Sequence, residues 1–208
     1  MPQITIANNS GANNNVATET DSSTNHHQKV VLWQLGTVPA PIARKLDVDG
    51  DGTGNSSMNV NHSGAEEEYF ISPAASTVNR IKRLILVVVD GTGGLEDEFG
   101  NLNAALTNGI KIQVKNGSGE VYDLIDDGAT GLNGTIKTNG DLMRLATDFQ
   151  KIVEGTSDII RATFDFEAMF GFPIRLDQTS GEYLAVSIND DLSGLTEMSA
   201  FVTGFVEA

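Results

Sequence analysis

Cysteine is absent from this 208-residue chain, which removes disulfide frameworks, thiolate zinc sites and cysteine nucleophiles together. Proline is scarce, with 5 residues against 22 glycines, a balance that points to many turns rather than long helices. Long apolar runs are missing too. The longest, residues 84–89, has six residues, far below the ~20 needed to cross a bilayer, and the N-terminus has no basic-then-apolar signal pattern. These two absences predict cytoplasmic synthesis and no membrane partner. Positive charge is also thin, at 13 Lys and Arg against 28 Asp and Glu, for a net charge of −15.

The charge is unevenly spread. In residues 1–45, Glu19 and Asp21 face Lys29, Arg44 and Lys45, a net of +1, so the remainder carries −16 of the total −15. An acidic body repels phosphate backbones, and no Lys/Arg stripe with interleaved aromatics offsets that repulsion, so nucleic acid is not an expected partner. The length fits one ordinary domain with extensions.

Three regions follow from the composition. Residues 1–45 read as an extended N-terminal arm. Its stretch 7–27 is dominated by Asn, Ser and Thr and cannot bury enough surface to offset the entropy of ordering, so alone it should be disordered. Residues 29–35 follow as an apolar, β-branched strip with the only tryptophan. Val30, Val31, Leu32, Trp33 and Leu35 are therefore the expected assembly contacts. Residues 46–66 form a Gly/Asp-rich connector, and 67–208 form the main domain.

Within that domain, residues 81–89 read as a strand buried on both faces. Ile110, Ile112 and Val114 alternate with Lys111, Gln113 and Lys115, giving one apolar and one wet face. The run 116–119 supplies turn residues, and Val121, Tyr122 and Leu124 return as the hairpin partner. Ala162, Phe164 and Phe166, and then Leu184, Val186 and Ile188, alternate as half-buried strands. Gly204 inside the last strand suggests a bulge or a close backbone approach. About eight strands result, and the expected fold is mainly β: an antiparallel β-sandwich, jelly-roll-like, with one short helix. The spacing of Leu142, Leu145, Ala146, Phe149 and Val153, with Asn139 as cap and Gly155 as stop, predicts that helix.

Little in the sequence carries chemistry. Asp47, Asp49 and Asp51 match the first half of a calcium loop, where alternate carboxylates converge on one hard cation and Gly50 or Gly52 allows the sharp turn. The pattern fails at Met58, where a bidentate Glu is required, unless Glu66, Glu67 or Glu68 completes the site; the plain alternative is an acidic turn-rich connector. Structural Ca2+ is the only cofactor the residues suggest. His26, His27 and His62 fall in polar segments expected to be exposed, without metal-ligand spacing. Ser193 has acids nearby but no Gly-x-Ser-x-Gly elbow. Residues 90–94 follow a strand as a phosphate loop would but lack the Gly-Lys-Ser/Thr ending.

Several segments occur in a telling order: Gln28-Lys29-Val30-Val31-Leu32 after paired histidines, residues 46–58 leading into a strand, Leu106-Thr107-Asn108-Gly109-Ile110, Ile136-Lys137-Thr138-Asn139-Gly140-Asp141, and Asp190-Asp191-Leu192-Ser193-Gly194-Leu195. The ensemble resembles small structural proteins of tailed-bacteriophage particles, commonly β-sandwich or jelly-roll proteins that decorate or cement capsids or serve as tail accessories. The resemblance implies a non-enzymatic virion protein made in the host bacterial cytoplasm. It further implies a homo-oligomer, with trimers common among capsid-decorating proteins, and the major capsid protein or other virion proteins as partners. The rival from another class is a receptor- or glycan-binding tail module. Aromatic residues at only 6% weigh against exposed aromatic platforms for that role.

Overall fold

The computed structural model describes residues 4–7, 16–19, 39–91, 94–125 and 134–207. The chain divides at Val38 into two units. In the first, β1 (Ile4–Ala7) and β2 (Val16–Glu19) pair antiparallel, with Ile4 opposite Glu19 and Ala7 opposite Val16. β2 falls within the polar stretch expected to lack structure of its own.

The second unit begins at Pro39. Its elements are β3 (Ala40–Lys45), β4 (Glu67–Ile71), β5 (Val78–Gly91), β6 (Ile110–Asn116), β7 (Gly119–Asp123), β8 (Thr135–Ile136), α1 (Asn139–Leu145), β9 (Asp148–Glu154), β10 (Ser157–Asp165), α2 (Phe166–Phe170), β11 (Ile174–Asp177), β12 (Tyr183–Ile188) and β13 (Glu197–Glu207). One sheet runs β3-β13-β5-β10-β9, with β11 also on β5; the other runs β4-β12-β6-β7, with β8 also on β6. Every pairing is antiparallel.

Set aside β8, β9 and β11 and eight strands remain. The first of these pairs with the last (β3 with β13), the second with the seventh (β4 with β12), the third with the sixth (β5 with β10) and the fourth with the fifth (β6 with β7). That nested pairing is the jelly-roll order. One continuous core joins the two sheets: Leu84, Leu86, Phe164, Ala200 and Val202 from one, and Ile112, Val114, Leu184, Val186 and Tyr69 from the other.

The boundary expected after residue 45 falls instead at Val38, because Ala40–Lys45 is an edge strand of the larger sheet with Ile42 turned into the core. The connector 46–66 is likewise part of the body, with Leu46 and Met58 fully buried. Lys29 against Glu19 and Asp21 leaves −1 on residues 1–38, so the body carries −14 of the total −15. The contrast between a near-neutral arm and an acidic body survives the corrected boundary.

The expected helix is shorter than its spacing suggests. α1 ends at Leu145, and Phe149 and Val153 lie on β9, which returns through Gly155 (φ 65°) as a hairpin with β10. Aromatic and β-branched residues in 148–154 favour the strand once β10 supplies a partner. Thr138, not Asn139, caps the helix: its hydroxyl accepts from the Asp141 amide while Asp141 accepts from the Thr138 amide. This is a capping box.

Two strands exchange their expected environments. β5 is buried on its inner face only, whereas β12 is buried on both, with Ala185 and Ser187 covered as well as Leu184, Val186 and Ile188. Ala185 and Ser187 are short, so Phe70, Tyr183 and Lys115 around them close over the strand. Gln113 and Lys115, expected on a wet face, are buried for the same reason.

The β6–β7 hairpin forms as its turn sequence requires. At Gly204 the register with β5 shifts, and an added Cβ would fall well inside contact distance of the Arg80 carbonyl oxygen. Gly204→Ala should therefore cost about 1–3 kcal/mol, read as a lowered denaturation midpoint. An unchanged midpoint would show that the bulge tolerates a side chain.

Candidate functional site

The calcium-like loop is closed by its own backbone. Asp47 is fully buried, and its two carboxylate oxygens accept from the amides of Gly50 (2.6 Å) and Gly54 (2.7 Å). Asp51 accepts from the Thr53 hydroxyl and amide, which hold its carboxyl below the usual range. Glu66 and Glu68 do not complete the loop; they pair with Lys111 and Lys115. Burial would depress the Lys115 ammonium, but the two carboxylates outweigh it and raise its pKa. Among the described residues no three His, Asp or Glu side chains converge on a metal position. The loop instead packs on β4, with Gly50 seated against the Phe70 ring, where a Cβ has no room.

His62, expected to be exposed, is 7% exposed and lies edge-on to Tyr69, its Nε2 near the Met58 carbonyl and the Tyr69 hydroxyl. Met58 and Tyr69 are themselves core residues, so the polar segment around His62 is drawn inward. His26 and His27 lie outside the described residues, as do Thr92 and Gly93 of the glycine-rich loop and Val30, Val31, Leu32, Trp33 and Leu35 of the proposed anchor. Ser193 donates its hydroxyl directly to Asp191 (2.6 Å). Nucleophilic activation needs a base that accepts that proton and is itself oriented by a third group, and a carboxylate in a local turn is not that arrangement.

Three of the motifs quoted for the resemblance, residues 106–110, 136–141 and 190–195, meet as structural latches. The Asp190 carboxylate accepts from the amides of Thr107, Asn108 and Gly109 at 2.8–3.2 Å. The Leu106 amide donates to the Lys137 carbonyl, and Lys137 Nζ to the Thr107 carbonyl. Asn139, 6% exposed, accepts from the Gly100 amide and donates to the carbonyls of Leu95 and Gly100. Sequence reading found these segments but not their role, since a loop-holding carboxylate and a ligand-holding one look alike without their partners.

Two features missed in the sequence stand out. The first is the outward face of the larger sheet. Val89, Ile159 and Ile152 stand side by side across β5, β10 and β9, with Val87 and Ile85 following along β5. Ile152 is 50% exposed and the others half-buried. The β-branched run at residues 81–89 signalled this surface, because it leaves β5 apolar on both sides. The second is a groove of about 610 Å3 farther along the same face, over Thr163 and Ile85, with Arg83, Arg161 and Asp148 at its sides.

These observations define a jelly-roll body with a short apolar strip, Val89–Ile159–Ile152, on the outward face of its larger sheet, and an N-terminal unit before Pro39. Compared with protein families, with curated proteins and with solved structures, the chain matches none.

Proposed function

We propose that the chain is a non-enzymatic structural protein of a tailed-bacteriophage particle, a capsid cement or decoration protein that stabilises the shell through its N-terminal arm. The observation that carries this reading is the Val89–Ile159–Ile152 face. A sandwich normally turns polar residues to solvent on its outer faces, and an apolar strip left there supports a surface that another protein covers. A jelly roll is a frequent architecture of viral shell proteins, although fold alone does not assign function. The near-neutral arm can lie on a partner without the repulsion that the acidic body would feel. Each apolar anchor it buries contributes about 1.5–3 kcal/mol, and repetition around a shell multiplies modest contacts. The body associates as a homo-oligomer, a trimer in this reading.

The test is deletion of residues 1–35 followed by quantitative mass spectrometry of purified particles. The truncated chain should keep the wild-type denaturation midpoint and vanish from the particles, while the full chain is present in hundreds of copies. Normal incorporation of the truncated chain would refute the clamp. A handful of copies of the full chain would favour the second reading, a tail or head-tail accessory protein with a receptor- or glycan-binding surface, for which the groove over Thr163 speaks.

A further inference from the structure

The larger sheet has two edges, and they differ. β3 carries Pro41, and proline is one of the residues that keep a sheet edge from pairing. β9 has no such guard. It contains neither proline nor glycine, pairs with β10 in unbroken register, and among the described residues has no strand on its other side. Every residue of β9 except Phe149 is exposed, Ile152 at 50% and Val153 at 70%. An inward-pointing charge also blunts an edge when pairing would strand that charge. Lys151 does point inward, opposite Ile160, but its Nζ is 3.0 Å from both the Asp158 carboxylate and the Gly94 carbonyl. It is therefore partnered whether or not a neighbour arrives.

The same edge is where the apolar strip ends. On the outward face Val89, Ile159 and Ile152 form one row, and Val87, Arg161 and Gln150 form the next. Arg161 is exposed with no acidic partner among the described residues, and Glu154, two residues past Ile152 on the same face, is exposed without a basic one. Two copies of a body that carries −14 of the chain's −15 repel each other, so a contact between them needs a place where opposite charges meet.

We propose that β9 pairs antiparallel with β9 of a second copy, about a two-fold axis at Ile152. An axis perpendicular to the sheet keeps both outward faces on one side, so the register changes only by moving the axis from one residue to the next. With Ile152 opposite Ile152 of the second copy, the row Val89–Ile159–Ile152 is continued by the same residues in reverse order, one apolar strip across both copies. In the flanking row Gln150 faces Glu154 of the second copy. That carboxylate then lies two strands from Arg161, about 10 Å between Cα atoms, a gap that the two long side chains span together. The charge pair is made twice by symmetry, and Lys151 faces Val153.

Other registers lose this match. An axis at Lys151 sets Lys151 against itself and Asp148 against Glu154. One at Gln150 sets Ile152 against Asp148 and places the two Arg161 side chains in one row. One at Val153 pairs only residues 152–154. The contact goes beyond the shell role and does not rest on it. It joins copies in twos, so trimers built on another surface would be linked through it, and the doubled strip is a single surface for a shell partner to cover.

The test uses the full chain, which has no cysteine of its own, with single cysteines introduced on β9. Ile152→Cys should oxidise to a covalent dimer, because directly opposed residues of an antiparallel pair have Cα atoms about 4.5–5.5 Å apart, inside the ~4.4–6.8 Å that a disulfide spans. Val153→Cys is the control. Position 153 is the more exposed of the two and would cross-link faster by chance collision, but in this register its Cα atoms are about 8 Å apart, too far to be bridged. In the Ile152→Cys chain, Arg161→Glu and Glu154→Arg should each lower the dimer yield about tenfold by setting like charges against each other, and the two together should restore it. None of these substitutions at exposed positions should shift the melting temperature. Equal or faster cross-linking at position 153, or a double reversal no better than either single one, would overturn the assignment. So would absence of the dimer at position 152, which would leave the edge to a different protein.

Discussion

Asp90→Asn is expected to raise the melting temperature at pH 7 and to lose that advantage by pH 4. Asp90 sits at the end of β5 on its inner face, fully buried, directly across from Asp158 on β10. Lys151 pairs with Asp158 at 3.0 Å, which leaves Asp90 with neither oxygen hydrogen-bonded. Burial, with repulsion from Asp158 added and only partly relieved by Lys151, pushes its carboxyl up from 3.8 to about 6. The folded state thus holds this proton more tightly than the unfolded chain does. The resulting stabilisation is complete below pH ~3.8 and lost as pH rises through about 6, so at neutral pH the ionised group is a burden. A gap of about two units corresponds to at most ~3 kcal/mol. Asparagine is neutral throughout, nearly the same shape, and can donate to Asp158. Thermal melts of both proteins from pH 4 to 8 should show the variant ahead at pH 7 and the two curves meeting at pH 4. A variant no more stable at pH 7 would show that the Asp90 charge is compensated.

The opposite sign is expected at Asp190. Its carboxylate accepts from three consecutive amides, Thr107, Asn108 and Gly109, and thereby ties the loop leading into β6 to the loop after β12. Hydrogen bonds to a charged acceptor contribute ~1.5–3 kcal/mol each, and truncation strands the donors as well. Asp190→Ala should cost about 3–5 kcal/mol. Urea denaturation should show a lowered midpoint with an unchanged slope, the mark of lost stability without a change in unfolding surface. A loss under ~1 kcal/mol would mean that water or neighbouring groups replace the latch.

The contrast between two buried aspartates explains what the sequence could and could not tell. The positions of the strands at residues 110–114, 162–164 and 184–188, the Asn116–Gly119 turn and Gly204 are local signals, and each appears in the fold where the pattern put it. The two-sheet architecture follows because about eight alternating strands have few other ways to close. The end of α1 was not legible: Phe149 and Val153 continue a helical period, and only pairing with β10 makes them a strand. Nor was the environment of β12, where Ala185 and Ser187 are covered by side chains from β4 and β6. For the candidate sites the gap is wider. Asp47, Asp90 and Asp190 are the same residue type in similar glycine-rich surroundings, yet two are satisfied by backbone amides and one by none. That difference is set by partners distant along the chain.

The pairing of β3 with β13 governs how the body comes into being. Residue 45 meets residue 201, and residue 40 meets residue 206, so the larger sheet closes only across most of the length of the chain. Contacts of that separation make folding slow, since a large loop must be ordered before its ends reward it. On the ribosome, β13 emerges after every other strand of the body, and until then β3 and β5 each lack a neighbour. Closure of the last strand is therefore the step that commits the body to its fold.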